Sequence, residues 1–415
     1  MYNHDMNMKG SNRVNMKNSQ IILKPGREKN LLKKHPWVFS GGIQKVNGDP
    51  MPGDTVTAVS SKGEFTAYCA FSPQSQIRLR VWSWNEKDKI NEGFFDEKIR
   101  TAIALRKNLG LFSDPTINNS CRVINSESDG LPGIIADLYN RHIVVQFLTT
   151  GAEKWKDVIC RVLYKQLDPI CFYERSDSDE RLLEGLKKRN GLISGNGPSK
   201  TVEIVENGIK MLVDIKEGHK TGFYIDQRNN RRLIRDFAAG KDVLNCFSYT
   251  GGFSLNAAAG GAKHIVSADA SKKVLETAAA NVALNGFSPD KFTFVESDVF
   301  KLLRQYKEEE RYFDLIVLDP PKFVSGTAKL ETALRGYKDL NLQALRILKP
   351  GGVLFTFSCS GSVTDEMFQK ATAWAALDAE CSASVIGKMI QGPDHPVLLS
   401  FPESSYLKGL VLYKS

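Results

Sequence analysis

The sequence predicts an α/β protein of three domains, with a Rossmann-like parallel sheet in its C-terminal part. Three patterns support this prediction. Residues 20–92 contain short strands cut by Gly and Pro turns, which is typical of a small β-barrel. Residues 93–200 mix helical and strand patterns, as in a small α+β domain. Beyond Lys241, apolar strands alternate with helices, and this alternation indicates a parallel sheet covered on both faces.

The segments that flank these domains carry simpler signals. Residues 1–19 are polar and lack periodicity, so we expect a disordered tail. Residues 191–200 are rich in Gly and Ser, which predicts a linker. The C-terminal domain, residues 201–415, then begins with a β-hairpin over residues 201–216 that turns at Asn207-Gly208.

Composition narrows the classes of function. The chain has 42% hydrophobic and 25% charged residues, which is ordinary for a globular protein. Its seven cysteines include no Cys-x-x-Cys pair, so we expect no metal site, no disulfide framework and a reducing, cytoplasmic setting. No signal-peptide core and no apolar run of 18 residues occurs, so no membrane association is expected.

Basic residues are concentrated near the N-terminus. The formal net charge is +9, and the first 50 residues hold nine Lys or Arg against three acidic residues. Such an excess suits a polyanion such as RNA, although a solvated basic face would look the same. The candidate phosphate contacts in this segment are Lys24, Arg27, Lys33, Lys34 and His35.

Ligand-type residues follow successive strands of the predicted parallel sheet. A strand from Val243 runs into a turn at Gly251-Gly252, and Asp269 ends the next strand, where it could bind a ribose diol. Asp298 follows the third strand, where it could meet an adenine amine. Either aspartate could instead cap a helix. The loop lacks the Gly-x-Gly-x-x-Gly pattern, so a nicotinamide cofactor is disfavoured.

The fourth strand ends in the sharpest motif, Asp319-Pro320-Pro321-Lys322-Phe323. Two prolines cannot continue a strand or a helix, so they fix an exposed turn. We expect the carbonyls of this turn and the Asp319 carboxyl to face the edge of a planar base. A turn without a function is the alternative.

Cys359 ends the next strand and is a candidate nucleophile. It stands between two serines and before a glycine, a composition that suits a site better than a core. A buried packing role, the usual fate of a free cysteine, is the alternative and fits Cys246. A thiolate that adds to C6 of a pyrimidine would activate C5 for methylation, whereas methylation of an exocyclic amine would not need Cys359.

At these residues the sequence resembles the RlmI-type family of class I methyltransferases, which make 5-methylcytosine in large-subunit (23S) ribosomal RNA. The resemblance covers nearly the whole chain after residue 20. It rests on residues 24–43, 126–139, 218–228, 245–253 and 319–323. It implies a PUA-like N-terminal domain, an RRM-like central domain and a Rossmann-like catalytic domain.

The resemblance also implies a cofactor, a partner and a set of site residues. The cofactor is S-adenosylmethionine (SAM), the partner is 23S rRNA or a precursor of the large subunit, and a homodimer is suggested. The expected SAM contacts are Thr221, Tyr224, Gln227, Asn245, Phe247, Tyr249, Thr250, Gly251, Asp269, Ser271, Asp298 and Asp319. The expected catalytic residues are Cys359 and Asp319, and Pro320, Pro321, Lys322 and Phe323 are expected to meet the RNA.

Three other functions stay open at this point. The Ser-Cys-Ser sequence also resembles that of uracil-5 methyltransferases. The Asp-Pro-Pro turn would suit an enzyme that methylates exocyclic amines. The basic N-terminal segment alone would suit an RNA-binding or assembly factor without catalytic activity.

Overall fold

The computed structural model describes residues 19–111, 114–197, 200–323 and 330–415. Residues 1–18 of the predicted disordered tail lie outside the described residues. The chain forms two compact units, which are described separately below. The first unit runs up to Val202 and also includes Val213–Phe223 and Asp394–Ser404. The second unit comprises Glu203–Leu212, Tyr224–Pro393 and Ser405–Ser415.

The first unit begins with a six-stranded β domain. Its sheet has the strand order β2-β6-β5-β4-β1-β3, and β1 pairs in parallel with β4 and antiparallel with β3. Alternate side chains, such as Ile21 and Leu23 of β1, point into a shared apolar core, as a strand with one buried face requires. The elements are β1 (Gln20–Leu23), α1 (Lys29–Leu32), β2 (Trp37–Phe39), β3 (Ile43–Asn47), β4 (Thr55–Val59), β5 (Phe65–Phe71) and β6 (Ile77–Ser83).

An α+β domain completes the first unit, as predicted. Its five strands have the order β11-β10-β9-β8-β7, and helices α2 and α4 pack on the apolar face of the sheet. The Asn91 side chain starts α2 by accepting a hydrogen bond from the backbone N–H of Phe94. The elements are α2 (Glu92–Asn108), β7 (Ser120–Asn125), β8 (Ile134–Tyr139), β9 (His142–Phe147), α3 (Thr150–Lys154), α4 (Lys156–Leu167), β10 (Cys171–Ser176), α5 (Glu180–Leu183) and β11 (Arg189–Gly195).

The prediction of a Gly-rich linker is wrong over the first half of that segment. Residues 191–195 belong to β11, which pairs antiparallel with β10 at the edge of the sheet. Gly195 has a φ of +82°, and a Cβ there would lie 2.3 Å from the carbonyl oxygen of Ile170. The glycine is therefore explained by a close approach between two backbones, which composition alone cannot distinguish from flexibility.

The second unit opens with the predicted hairpin, formed by β12 (Val202–Glu206) and β13 (Ile209–Val213) around Asn207-Gly208. The buried Glu206 carboxylate accepts hydrogen bonds of 2.6 and 2.7 Å from Arg231 of helix α6 (Arg228–Leu233). Because both charges are buried, this paired geometry is needed to offset their desolvation, and it fixes the hairpin against α6.

A seven-stranded sheet forms the centre of the second unit. Its strand order is β16-β15-β14-β17-β18-β20-β19, and the five strands from β16 to β18 run in parallel. Strand β20 is antiparallel to both β18 and β19. The strands are β14 (Asp242–Cys246), β15 (His264–Asp269), β16 (Phe292–Glu296), β17 (Phe313–Leu318), β18 (Leu348–Ser358), β19 (Ala383–Met389) and β20 (Lys408–Lys414).

Helices cover this sheet, which confirms the predicted Rossmann-like architecture. They are α7 (Gly252–Ala259), α8 (Lys272–Leu284), α9 (Val299–Glu308), α10 (Leu330–Ile347) and α11 (Asp365–Asp378). Leu244, Ile316 and Leu354 of the central strands belong to one buried cluster with the inner faces of α9, α10 and α11. Within the described residues, no helix is both long enough and apolar enough to cross a membrane.

Candidate active site

The carboxyl ends of the parallel strands meet at one edge of the sheet. Cys246 pairs with Ala268 and with Leu318, and Leu318 pairs with Thr356, so the carboxyl-terminal parts of four strands lie side by side. Most of the sequence-predicted residues of the second unit lie at the ends of the parallel strands or in the loops that follow them, whereas Tyr224 and Gln227 precede β14. Ligands of open α/β sheets bind at this edge, which makes it the candidate site.

The loop after β14 has an unusual backbone. Phe247 and Tyr249 adopt left-handed φ angles of 58° and 47°, and Gly251 has a φ of 85°. The left-handed region costs a residue with a side chain about 1–3 kcal/mol, so surrounding contacts must hold this loop. The backbone N–H of Ser248 donates to the carbonyl oxygen of Ala268, and the N–H of Gly251 donates to that of Ser248, both at 2.9 Å.

Asp269 holds the same loop through its side chain. One carboxylate oxygen accepts from the backbone N–H of Tyr249 at 2.9 Å, and the other accepts from that of Ser271 at 3.0 Å. The carboxylate is half-buried, and each oxygen has a second lone pair. Asp269 therefore orders the loops after β14 and β15 and can still accept hydrogen bonds from a ligand.

Three buried polar atoms near this loop fit a polar ligand. Asn245 Oδ1, Ser248 Oγ and Thr250 Oγ1 have no hydrogen-bond partner among the described residues. The Asn245 amide is fixed because its Nδ2 donates to Ser254 Oγ at 2.9 Å. A buried polar atom without a partner is costly, and a bound ligand with several hydrogen-bonding groups would remove that cost.

Asp298 caps helix α9. Its Oδ1 accepts from the backbone N–H of Lys301 at 3.0 Å, so the capping role that the sequence left open is present. The residue is exposed at the end of the loop after β16, and its second oxygen takes no part in that bond. Its expected contact with an adenine amine stays a prediction.

The predicted contacts between residues 218 and 228 fall in both units. In the first unit, Thr221 is buried, and its hydroxyl lies 2.5 Å from Asp137 Oδ2 and 2.8 Å from Tyr139 Oη. In the second unit, the ring of Tyr224 packs edge-on against Tyr249 with 5.5 Å between centroids. Gln227 is buried and accepts a hydrogen bond from Asn230 at 2.6 Å, within the start of α6.

Cys359 lies beside the Asp-Pro-Pro turn. Its Sγ is 3.9 Å from the carbonyl oxygen of Pro320, which is buried, whereas Pro321 and Lys322 are exposed. Phe323 turns inward and packs against Tyr337 with 4.7 Å between ring centroids. The loop after β17 and the end of β18 thus bring a thiol and an exposed turn together.

Two tyrosines surround this thiol. Burial is the main cause that raises the pKa of Tyr224 and that of Tyr337, the latter to about 12, and the nearby Asp319 and Cys359 contribute to both increases. The two phenols therefore stay protonated at neutral pH, where they can donate hydrogen bonds.

The other cysteines of the second unit differ from Cys359. Cys246 is fully buried in the core, and burial raises its pKa far above the usual range, which confirms its predicted packing role. Cys381 is partly buried near Lys414, at the opposite end of β20 from the site. Because a thiolate is the reactive form, Cys359 is the best candidate nucleophile among the three.

The predicted phosphate contacts lie on the connection between β1 and β2 of the first unit. Lys24, Arg27, Lys33 and Lys34 are all exposed. His35 is instead half-buried, with its ring 5.5 Å from that of Phe401 and its Nε2 3.4 Å from Glu403. The four flexible side chains form a basic surface, whereas His35 has a packing role.

Comparisons with known proteins identify the family. A model described as S-adenosylmethionine-dependent methyltransferase matches residues 186–398, and one described as PUA-like domain matches residues 21–84. The chain belongs to the S-adenosylmethionine-dependent methyltransferases. It is 49% identical to ribosomal RNA large subunit methyltransferase I of Shewanella frigidimarina, over 94% of this chain and 98% of that protein. It is 48% identical to the protein of that name from Photobacterium profundum, over 95% and 99%.

Solved structures show the same fold at lower identity. A candidate SAM-dependent methyltransferase from Streptococcus mutans superposes with a TM-score of 0.81 at 23% identity, over 95% of this chain and 99% of that one. A second methyltransferase, complexed with SAH, has a TM-score of 0.82 at 22% identity and the same coverage. The cofactor of the methyltransferase is therefore SAM, as predicted, and the six-stranded β domain is PUA-like.

Two residues of the site carried no signal in the sequence. Tyr337 lies within the long amphipathic helix α10, where its spacing is that of a core residue. Lys408 begins β20, a strand that the sequence analysis did not assign, and its Nζ donates to the carbonyl oxygen of Ser360 at 2.9 Å. Only the fold brings these side chains to the end of β18.

Asp269→Ala is expected to weaken SAM binding by roughly tenfold to a hundredfold, because about 1.5–3 kcal/mol is typical for hydrogen bonds to a charged group. The substitution removes the carboxylate that anchors the loop and that can also accept hydrogen bonds from a ligand. Isothermal titration calorimetry with SAM measures the change. Asp290→Ala, which removes an exposed aspartate of the same unit, is the control. An unchanged dissociation constant for Asp269→Ala would contradict the role assigned to this carboxylate.

Proposed function

We propose that this methyltransferase forms 5-methylcytosine in large-subunit (23S) ribosomal RNA, with Cys359 as a covalent nucleophile. The observation that carries the proposal is the position of the Cys359 thiol, 3.9 Å from the Pro320 carbonyl oxygen and beside an exposed turn. The relatives at 48–49% identity are named for methylation of large-subunit ribosomal RNA, which supports the substrate class.

The cytosine ring needs activation because its C5 is a weak nucleophile. The Cys359 thiolate adds to C6, and the electron pair of the C5–C6 double bond becomes available at C5. SAM, when bound, would supply the electrophilic methyl group that C5 accepts, with its sulfur–methyl bond broken and S-adenosylhomocysteine as the leaving group. A base then removes the C5 proton, the C5–C6 double bond re-forms and the S–C6 bond breaks, which returns the thiolate. Each bond to the enzyme that forms is broken again.

The Asp-Pro-Pro turn holds the base for this reaction. The Asp319 carboxylate accepts a hydrogen bond from the N4 amine of cytosine and, once it has taken up a proton, donates one to N3, which stabilises the charge that develops on the ring. Pro321 and Lys322 are exposed and contact the RNA strand. Phe323 supports the turn from the protein interior, because its ring packs on that of Tyr337.

The cofactor lies along the loops after β14, β15 and β16. Asp269 binds the ribose hydroxyls, Asp298 accepts from the adenine amine, and the loop from Asn245 to Gly251 supplies the close backbone approach. Tyr224 and Tyr249 form an aromatic wall of the same pocket, supported by their edge-on contact.

Thr221 acts within the first unit, where the hydrogen bonds of its hydroxyl with Asp137 and Tyr139 fix the segment before Tyr224. The predicted SAM contacts of Thr221, Gln227 and Ser271 and the predicted homodimer stay predictions.

Two other chemistries remain as alternatives. A uracil-5 methyltransferase would use the same thiol, and only the target base would differ. An exocyclic-amine methyltransferase more often presents an aromatic ring directly after the prolines to stack on the base. Here Lys322 takes that place and Phe323 packs inward on Tyr337, which favours methylation at C5.

Cys359→Ala is expected to lower formation of 5-methylcytosine by about three orders of magnitude or more, because it removes the nucleophile without filling space. Cys381→Ala, at the far end of the same sheet, should leave activity unchanged. Nucleosides from digested large-subunit RNA, treated with enzyme and SAM, are quantified by mass spectrometry. Full activity of Cys359→Ala would overturn the mechanism, and methyluridine or a methylated amine would move the proposal to another target.

Lys33→Ala combined with Lys34→Ala is expected to weaken RNA binding and to reduce its dependence on salt. The slope of log K against log salt should become shallower by about 0.7–0.9 for each phosphate that the protein no longer neutralises. Lys62→Ala, an exposed change on another turn of the PUA-like domain, is the control. Filter binding with a large-subunit RNA fragment at several salt concentrations measures the slope. A slope equal to that of the unmodified protein would exclude these lysines from RNA binding.

A further inference from the structure

Lys408 is a buried cation next to the proposed nucleophile. It is the first residue of β20 and pairs with Ser358, the last residue of β18. Its side chain is 5% exposed, and its Nζ donates a hydrogen bond of 2.9 Å to the carbonyl oxygen of Ser360. The ammonium group therefore binds the backbone carbonyl of the residue that directly follows Cys359.

Burial of a lysine is costly, so its position needs a compensating role. Burial lowers the pKa of Lys408, whereas Asp365 at the start of α11 and the Cys359 thiol act in the opposite direction. The interaction with Cys359 is reciprocal, because a cation that is stabilised by a thiolate stabilises that thiolate equally.

We propose that Lys408 is a positioning residue for Cys359: its ammonium fixes the turn at Ser360 and supplies the positive charge that favours the thiolate. This inference rests on the proposed function in one respect, because in that function the Cys359 thiolate is the form that attacks C6. It goes beyond that function because it assigns a role to Lys408, which the proposed function does not use.

Other titratable groups of the described residues lie around Cys359 and set its electrostatic surroundings. Asp319, from the loop after β17, adds negative charge near the thiol. Tyr224 and Tyr337 are neutral there and can donate hydrogen bonds, but they bring no positive charge. Asp365 faces Lys408 from α11 and supports its charged form. Lys408 thus opposes the effect of Asp319, which alone would disfavour the thiolate.

The same strand offers a matched control. Lys414 ends β20, is partly buried, and donates hydrogen bonds of 2.7 Å to the carbonyl oxygens of Leu345 and Leu348. It lies near Cys381, at the opposite end of the strand from Cys359. A substitution of Lys414 removes comparable hydrogen bonds from a lysine to backbone carbonyls, but it leaves the positive charge of Lys408 in place.

The test is the pH dependence of Cys359 alkylation by iodoacetamide in the full chain, read by peptide mass spectrometry. All variants carry Cys381→Ala, which removes the other partly buried thiol. Lys408→Met should raise the midpoint of the alkylation profile by about one pH unit, which makes alkylation at neutral pH about tenfold slower. Lys408→Arg should restore the midpoint, and Lys414→Met should not move it.

A second variant separates charge from position and guards against misfolding. Lys408→Gln is neutral but keeps a donor for Ser360, and it should raise the midpoint as Lys408→Met does. Circular dichroism and thermal unfolding verify the fold of each variant. If Lys408→Met does not fold, Lys408→Gln carries the test. A midpoint unmoved in the folded neutral variants would overturn this inference, whatever their methylation activity. Methylation by Cys359→Ala would instead overturn the proposed function, so the two failures are distinguishable.

Discussion

The in-register pairing of β14, β15, β17 and β18 is the constraint on which the site depends. Because Cys246, Ala268, Leu318 and Thr356 lie side by side, the loops that follow their strands open at one edge. A shift of one residue in any strand would move its side chains to the opposite face of the sheet and disrupt their packing against the helices, so the apolar core enforces the register. Chemistry-bearing residues that lie far apart in the sequence are thereby brought together.

Around this edge, strain and buried charge are compensated locally. The left-handed conformations of Phe247 and Tyr249 are held by the Asp269 carboxylate, which also orders the loop of Ser271. At the other side of the site, the Lys408 ammonium is buried but bonded to Ser360. In both places a charged group fixes a backbone turn at the candidate site, so that groups which order the site also contribute to its electrostatic character.

The sequence predicted the β-rich N-terminal part, the α+β segment that follows it, the Rossmann-like sheet and the placement of Asp269, Asp319 and Cys359 at strand ends, because period-two and βαβ patterns locate strand ends directly. The sequence-based prediction failed for residues whose roles depend on contacts with residues distant in the chain. Gly195 looked like part of a linker, yet it permits a close backbone approach at a sheet edge. The last two strands were not assigned, so Lys408 could not be placed. Thr221 was expected only from family resemblance, and its buried bonds to Asp137 and Tyr139 have no local signature in the sequence.

The central claim is that Cys359 forms a covalent bond to a pyrimidine during methyl transfer. Denaturing electrophoresis of the protein with SAM and a large-subunit RNA that carries 5-fluorocytosine tests this claim most directly, because fluorine at C5 cannot leave as a proton does. The account predicts a heat-stable protein–RNA band that is absent in Cys359→Ala and retained in Cys381→Ala. If turnover on unsubstituted RNA is present and no such band forms, the covalent mechanism is contradicted and methylation of an exocyclic amine takes its place.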